Sequence, residues 1–199
     1  MEDLPMCNHD VRTEMYQKEY ELKDGRQLVI RMPELRDAQA LIDYMKEVDC
    51  ETKFLAREPG EFGFTLEQEE NFISGLTTDD SKQFLIAEVE GQIVANCSVG
   101  FLSSNRRYLH RAGLGISVKQ DKWGLGIGRI MMNESISWCK EKGVEQLELE
   151  VVTNNERAVG LYKSLGFDIY GTKKHALRYS DDTYADEYFM ILFLGTMKE

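Results

Sequence analysis

The chain has 199 residues, with 24 Lys and Arg against 35 Asp and Glu, a net charge of −11. The length suits one domain, a composition of 42% apolar and 30% charged residues supports a sizeable core rather than disorder, and so acidic a protein repels nucleic-acid phosphates and anionic membranes. The N-terminus lacks a secretion signal, Tyr188 to Leu194 is far too short an apolar run to span a bilayer, and the cysteines and histidines are dispersed, so a cytoplasmic protein without a disulfide framework or a metal site is expected.

In chain order, residues 1–19 read as an appended N-terminal arm and 20–199 as a single domain. Tyr20 to Met32 carries an Asp24-Gly25 turn between extended stretches, a hairpin signal. Asp37 is placed to cap a helix whose apolar stripe is Ala38, Leu41, Ile42, Met45 and Val48, and Thr65 with Gln68 forms a capping box ahead of a second helix through Leu76. Phe84 to Val89 and Ile93 to Phe101 read as a hairpin about Glu90-Gly91, and His110 to Val118 as a further strand. A largely buried helix follows from about Ile127 to Lys142, then a strand through Leu147, Leu149 and Val151, and a short helix ending at Gly166. Phe167 to Gly171 and Tyr184 to Leu194 supply the last strands, with Asp181-Asp182 as turn material. This order predicts a mixed α/β (α+β) sheet with helices on its faces.

The chemistry concentrates where a strand runs through Trp123-Gly124-Leu125-Gly126-Ile127-Gly128 into a helix. Glycines at alternate positions let backbone approach a ligand, and the helix N-terminus beyond them favours a phosphate; a tight turn needing glycine for geometry alone is the competing reading. A nucleotide P-loop fails because Gly128 is followed by Arg129-Ile130, and a GxGxxG fingerprint fails because its last position is Arg129 or Met131. Glu148 and Glu150 nevertheless stand at about the distance of a ribose-binding carboxylate, so a Rossmann-like binder stays as an alternative.

The second block is Asn155-x-x-Ala158-x-x-Leu161-Tyr162-x-x-x-Gly166-Phe167. With Val118 to Arg129, it resembles the GNAT superfamily of acyl-CoA-dependent N-acyltransferases: the first block looks like the family's pyrophosphate loop, [QR]-x-x-G-x-[GA], and the second like the motif before its sixth strand. Trp123 departs from the Gln or Arg of that consensus. Ala112 stands where histone-acetylating members carry a glutamate. The resemblance implies a mostly antiparallel sheet splayed between its fourth and fifth strands, with acetyl-CoA in the gap between Leu114 to Val118 and Leu147 to Thr153.

By that resemblance, Ile116, Ser117 and Val118 would pair with the pantetheine and acetyl carbonyl, Trp123, Gly124, Leu125, Gly126, Ile127, Gly128 and Arg129 would hold the diphosphate, and Asn155 would add a side-chain contact. Tyr162 would be the general acid, and no metal would be needed. His110, two residues before Ala112, is the candidate base, with Glu148 and Glu150 behind it. The acidic pairs, Asp186-Glu187 among them, read as solvated, and Arg106-Arg107 as surface. The implied activity is acetyl transfer to a primary amine of a small molecule or a protein N-terminus, in a family that often dimerises; a non-catalytic acyl-CoA sensor on the same fold is the alternative. The sequence leaves the acceptor open, assigning its choice to Asp37 to Leu76 and His175 to Tyr184.

Overall fold

Strand β1 (Gln17–Glu21) and strand β2 (Gln27–Arg31) pair about the Asp24-Gly25 turn, where Gly25 takes φ 82°. The structure, a computed structural model, describes residues 16–195. Most of the expected arm, Cys7 and His9 included, therefore lies outside the described residues, and the boundary set at residue 20 falls within β1.

Helix α1 (Ala38–Glu51) begins at Asp37, but not by the capping bond that the sequence suggests. The Asp37 carboxylate is taken by the Arg31 guanidinium at 2.6 and 2.9 Å and by the Glu34 amide at 2.7 Å, closing a short 3-10 turn ahead of the helix. Helix α2 (Leu66–Leu76) does start on its capping box: Thr65 Oγ1 accepts from the Gln68 amide at 3.2 Å and Gln68 Oε1 from the Thr65 amide at 2.9 Å. Strands β3 (Lys82–Val89) and β4 (Gln92–Phe101) form the next hairpin on Glu90 and Gly91, both at positive φ, the turn that matches strand twist.

Then come β5 (Arg111–Val118), α3 (Ile127–Glu141), β6 (Gln146–Val152), α4 (Glu156–Ser164), β7 (Asp168–Arg178) and β8 (Tyr184–Phe193). Strand β7 runs seven residues past Gly171, where the sequence expectation ended it. Its register against β8 shifts twice and His175 sits at φ 51°, so the period-two pattern that signals a strand is broken.

All eight strands form one sheet in the order β1-β2-β3-β4-β5-β6-β8-β7, antiparallel except for β5 and β6. One face of β3 and β4 (Leu85, Ala87, Cys97) packs on Ile127 and Met131 of α3; on the other, Ile86 and Ile93 pack on Leu41, Tyr44, Val48 and Ile73 of α1 and α2. The C-terminal half has its own core, with Met132 and Trp138 of α3 against Leu147, Leu149, Phe167 and Met190. Helices thus cover both faces.

Strands β5 and β6 are paired only over Arg111 to Gly113 against Gln146 to Glu148. Beyond that point β5 stays with β4 as far as Val118 while β6 stays with β8 as far as Val152, so the two halves of the sheet part. The expected splay is present, between the fifth and sixth strands of the chain. Among the described residues, no helix is long and apolar enough to cross a membrane.

Candidate active site

The parting of β5 and β6 opens a cavity of about 1090 Å³, lined by the turn into α3 and by the loop after α1, with Tyr170 of β7 and Glu187 and Phe189 of β8. The first end is built from backbone. Gly124 and Gly126 take φ 84° and 97°, and a Cβ at either would meet nothing within 4 Å, so the chain there presents bare peptide to the cavity. Gly126 is the N-cap of α3 and supplies no side-chain cap, which leaves the first amides of the helix for a ligand. Gly128 has a different role: a Cβ there would come within 3.3 Å of Leu161 Cδ2, so it permits the close approach of α4 to α3.

Around this cradle, Arg129 donates to Ser164 Oγ at 2.6 Å, and the Arg157 guanidinium lies 4.9 Å from the centre of the Trp123 ring. Trp123 itself donates Nε1–H to the Val118 carbonyl at 2.8 Å, pinning the loop to the end of β5. An open cradle of backbone amides at a helix's positive end, with two arginines beside it, fits a diphosphate. Of the residues assigned to the donor by resemblance, Ile116, Ser117, Val118, Trp123, Gly124, Gly126, Ile127, Gly128, Arg129 and Asn155 line the cavity. Leu125 is the exception, packing instead against the core shared by β2, β3 and α3.

Two of these residues have tasks that the sequence did not reveal. Asn155 caps α4, its Oδ1 accepting from the Ala158 amide at 3.2 Å. Ser117 is held from behind by Tyr44, whose hydroxyl is 3.0 Å from the Ser117 carbonyl and 2.8 Å from its Oγ, and Ser117 Oγ in turn donates to Asn96 Oδ1 at 3.0 Å. That network ties the free edge of β5 to α1 and β4.

Tyr162 projects from α4 into the same cavity, its ring 6.0 Å from that of Phe167. Burial pushes its hydroxyl well above the usual phenol range, so it holds its proton at neutral pH, and it makes no hydrogen bond with any described residue. A protonated, uncommitted hydroxyl in a cavity can deliver a proton.

The candidate bases separate. His110 does not join the cavity: it precedes β5 at the end away from the glycines, where its carbonyl accepts the Glu145 and Gln146 amides. Glu148 lines the cavity but is committed, with Arg111 at 2.6 and 2.9 Å and the Tyr170 hydroxyl at 3.1 Å. Those partners, the Arg111 hydrogen bond foremost, hold its carboxyl below the usual range. Glu150 lines the cavity beside Glu187 of β8, which the sequence reading set aside as solvated. Partial burial, then the charge of Glu150 and a hydrogen bond with it, raise the Glu187 carboxyl. Among the described residues, no three His, Cys, Asp or Glu side chains converge as metal ligands would.

The far end is walled by side chains from distant segments. The loop after α1 meets the β7–β8 turn where Tyr179 donates to the Lys53 carbonyl at 3.1 Å and the Ser180 amide to Glu58 Oε1 at 2.6 Å. These are the two segments to which the sequence assigned acceptor choice. Glu187 and Arg57, which no motif marks, are the charged groups that this folding adds.

Residues 52–167 match the Acetyltransferase (GNAT) family. The chain is 32% identical over 168 residues, 82% of its length and 96% of the relative's, to the L-amino acid N-acetyltransferase AaaT of Escherichia coli K12. It superposes with a TM-score of 0.79 on the acetyltransferase of GNAT family from Streptococcus pneumoniae, at 29% identity and covering 84% of this chain and 99% of that one. It also shares its fold with the GNAT superfamily phosphinothricin acetyltransferase from Sinorhizobium meliloti, solved in complex with AcCoA, at a TM-score of 0.72, 18% identity and 84% and 89% coverage.

Proposed function

Because the chain belongs to the GNAT family of acetyltransferases, we propose that it moves an acetyl group from acetyl-CoA to a primary amine of a small molecule or a protein N-terminus. The observation that carries this reading is the bare-backbone cradle of Gly124 and Gly126 at the open end of α3, in the same cavity as the free, protonated hydroxyl of Tyr162. The complex of the Sinorhizobium meliloti relative with AcCoA supports the choice of donor.

In this reading acetyl-CoA supplies an acyl thioester activated toward nitrogen. The α3 amides, with Arg129 and Arg157, hold its diphosphate, and the free edge of β5 at Ile116 to Val118 aligns its arm, kept in place by Tyr44. Glu187, raised by burial and by its neighbour Glu150, takes the proton from the acceptor ammonium so that the neutral amine can attack the thioester carbonyl. A carbon–nitrogen bond forms, the carbon–sulfur bond breaks, Tyr162 gives its proton to the departing sulfur, and the surplus proton on the acylated nitrogen restores the Tyr162 hydroxyl. Placing the base at Glu187 replaces the sequence assignment to His110, which lies outside the cavity.

A thiol-release assay with acetyl-CoA and a panel of amines tests the proposal. Amine-dependent release is expected; stabilisation by acetyl-CoA with no release for any amine would instead identify a sensor.

A further inference from the structure

We infer that Arg57 is the anchor for a carboxylate, and that the amine acetylated here is the α-amino group of a free amino acid with an apolar side chain. The inference rests on the amine-acetylation reading above and names its acceptor.

Arg57 lines the cavity from the loop after α1. Two of its nitrogens are fixed by a side chain: Nε and Nη2 donate to Asp49 Oδ2 and Oδ1 at 2.8 and 2.9 Å, and the Asp49 side chain is fully buried. The guanidinium also lies 5.3 Å from the centre of the Phe62 ring. Held from two sides, the group is pre-organised, while Nη1 has no hydrogen-bond partner among the described residues. Arginine stays charged and recognises carboxylates through paired N–H donors, so a fixed guanidinium with spare donors on a residue that lines the cavity is suited to bind one.

The surroundings narrow the ligand. Glu187 and Glu150 line the same cavity with only the Lys173 ammonium, 3.8 Å from Glu150, against their two charges, whereas Glu148 is paired bidentately by Arg111, so a further group of opposite charge is accommodated there. Phe54, Leu55 and Phe189 supply apolar wall. One cation site, one anion site and an apolar lining match a zwitterion with a hydrophobic side chain. A peptide N-terminus, whose carboxylate is replaced by an amide, leaves the Arg57 donors unmatched and so is disfavoured.

The test compares phenylalanine, phenylalaninamide and phenethylamine as acceptors for the full chain with acetyl-CoA. For the native protein, kcat/KM should be highest for phenylalanine, by about tenfold or more, the scale of a charge-assisted hydrogen bond. Arg57→Gln should erase that preference by raising KM for phenylalanine while leaving the amide and the amine within about twofold, the change expected when uniform binding is lost. Arg57→Lys, which keeps a cation beside Asp49, should restore part of it, and unchanged acetyl-CoA affinity in both variants shows that they fold.

Equal use of the three acceptors by the native protein would overturn the inference, as would a proportional loss for all three in both arginine variants, which would make Arg57 only the partner of Asp49. Acetyl-CoA binding with no turnover on any amine would overturn the parent reading instead, so the two failures are distinguishable.

Discussion

The two ends of the cavity are built on different principles. At the α3 end the groups that border the cavity are backbone, set by two positive-φ glycines and a helix that lacks a side-chain cap. At the far end they are side chains, Arg57, Glu150 and Glu187, brought from the α1 loop, β6 and β8. A backbone cradle needs only that side chains stay out of the way, and Trp123 does so by donating Nε1–H to the Val118 carbonyl. An acceptor site needs particular charges at particular places, which is how members of one fold can share a donor and differ in acceptor.

The sharpest way to break this contrast is Gly126→Asp. It adds a side chain at φ 97° and a negative charge where the diphosphate is proposed to dock, so acetyl-CoA affinity should fall by about a hundredfold or more, measured by calorimetry. Unchanged affinity would remove the loop from the site.

Next in size, Tyr162→Phe should lower kcat by about a hundredfold with little change in acetyl-CoA affinity, because it deletes a proton donor and leaves the buried ring. Native turnover in that variant would assign the proton to another group.

The pH profile probes the far end. Glu187 acts as a base only when ionised, so kcat/KM should fall as pH drops through a value above the ordinary carboxylate range, raised by burial and by the Glu150 charge. Glu187→Gln should remove that limb and cost about tenfold in kcat/KM, whereas Glu150→Gln, by removing the like charge, should move the limb to lower pH. A limb unmoved in both variants would place the base elsewhere.

The smallest effect is expected for Asn155→Ala, which removes the α4 cap and should cost about 1 kcal/mol of stability in urea unfolding. If acetyl-CoA affinity falls as well, Asn155 also contacts the donor; if only stability falls, its part in the site is to position α4 and Tyr162.

A further contrast between carboxylates shows why some of this was legible and some not. Glu134 of α3 carries no mark in the sequence, yet in the fold it accepts from Tyr16 and Tyr20 and, at 2.6 Å, from Lys18. Burial works against its charge, but those donors outweigh it and hold the carboxyl below its usual range. Glu187, equally unmarked in sequence, has burial and a like charge and moves the other way. Residue type does not distinguish a structural carboxylate from a chemical one; its neighbours do.

What the sequence determined by itself is what depends on local spacing. The Thr65 and Gln68 box, the Glu90-Gly91 turn, the glycine cradle and the place of Tyr162 on α4 are each encoded within a few residues, where backbone geometry and helix period act directly. Tertiary structure alone decided what depends on pairing across the chain: the irregular length of β7, the end of β5–β6 pairing at Gly113, the exclusion of His110, and the placing of Arg57 and Glu187 on one cavity. Those features join residues that no local pattern links, Arg57 and Glu187 being more than a hundred positions apart, and their charges acquire a role only when the fold places them around one cavity.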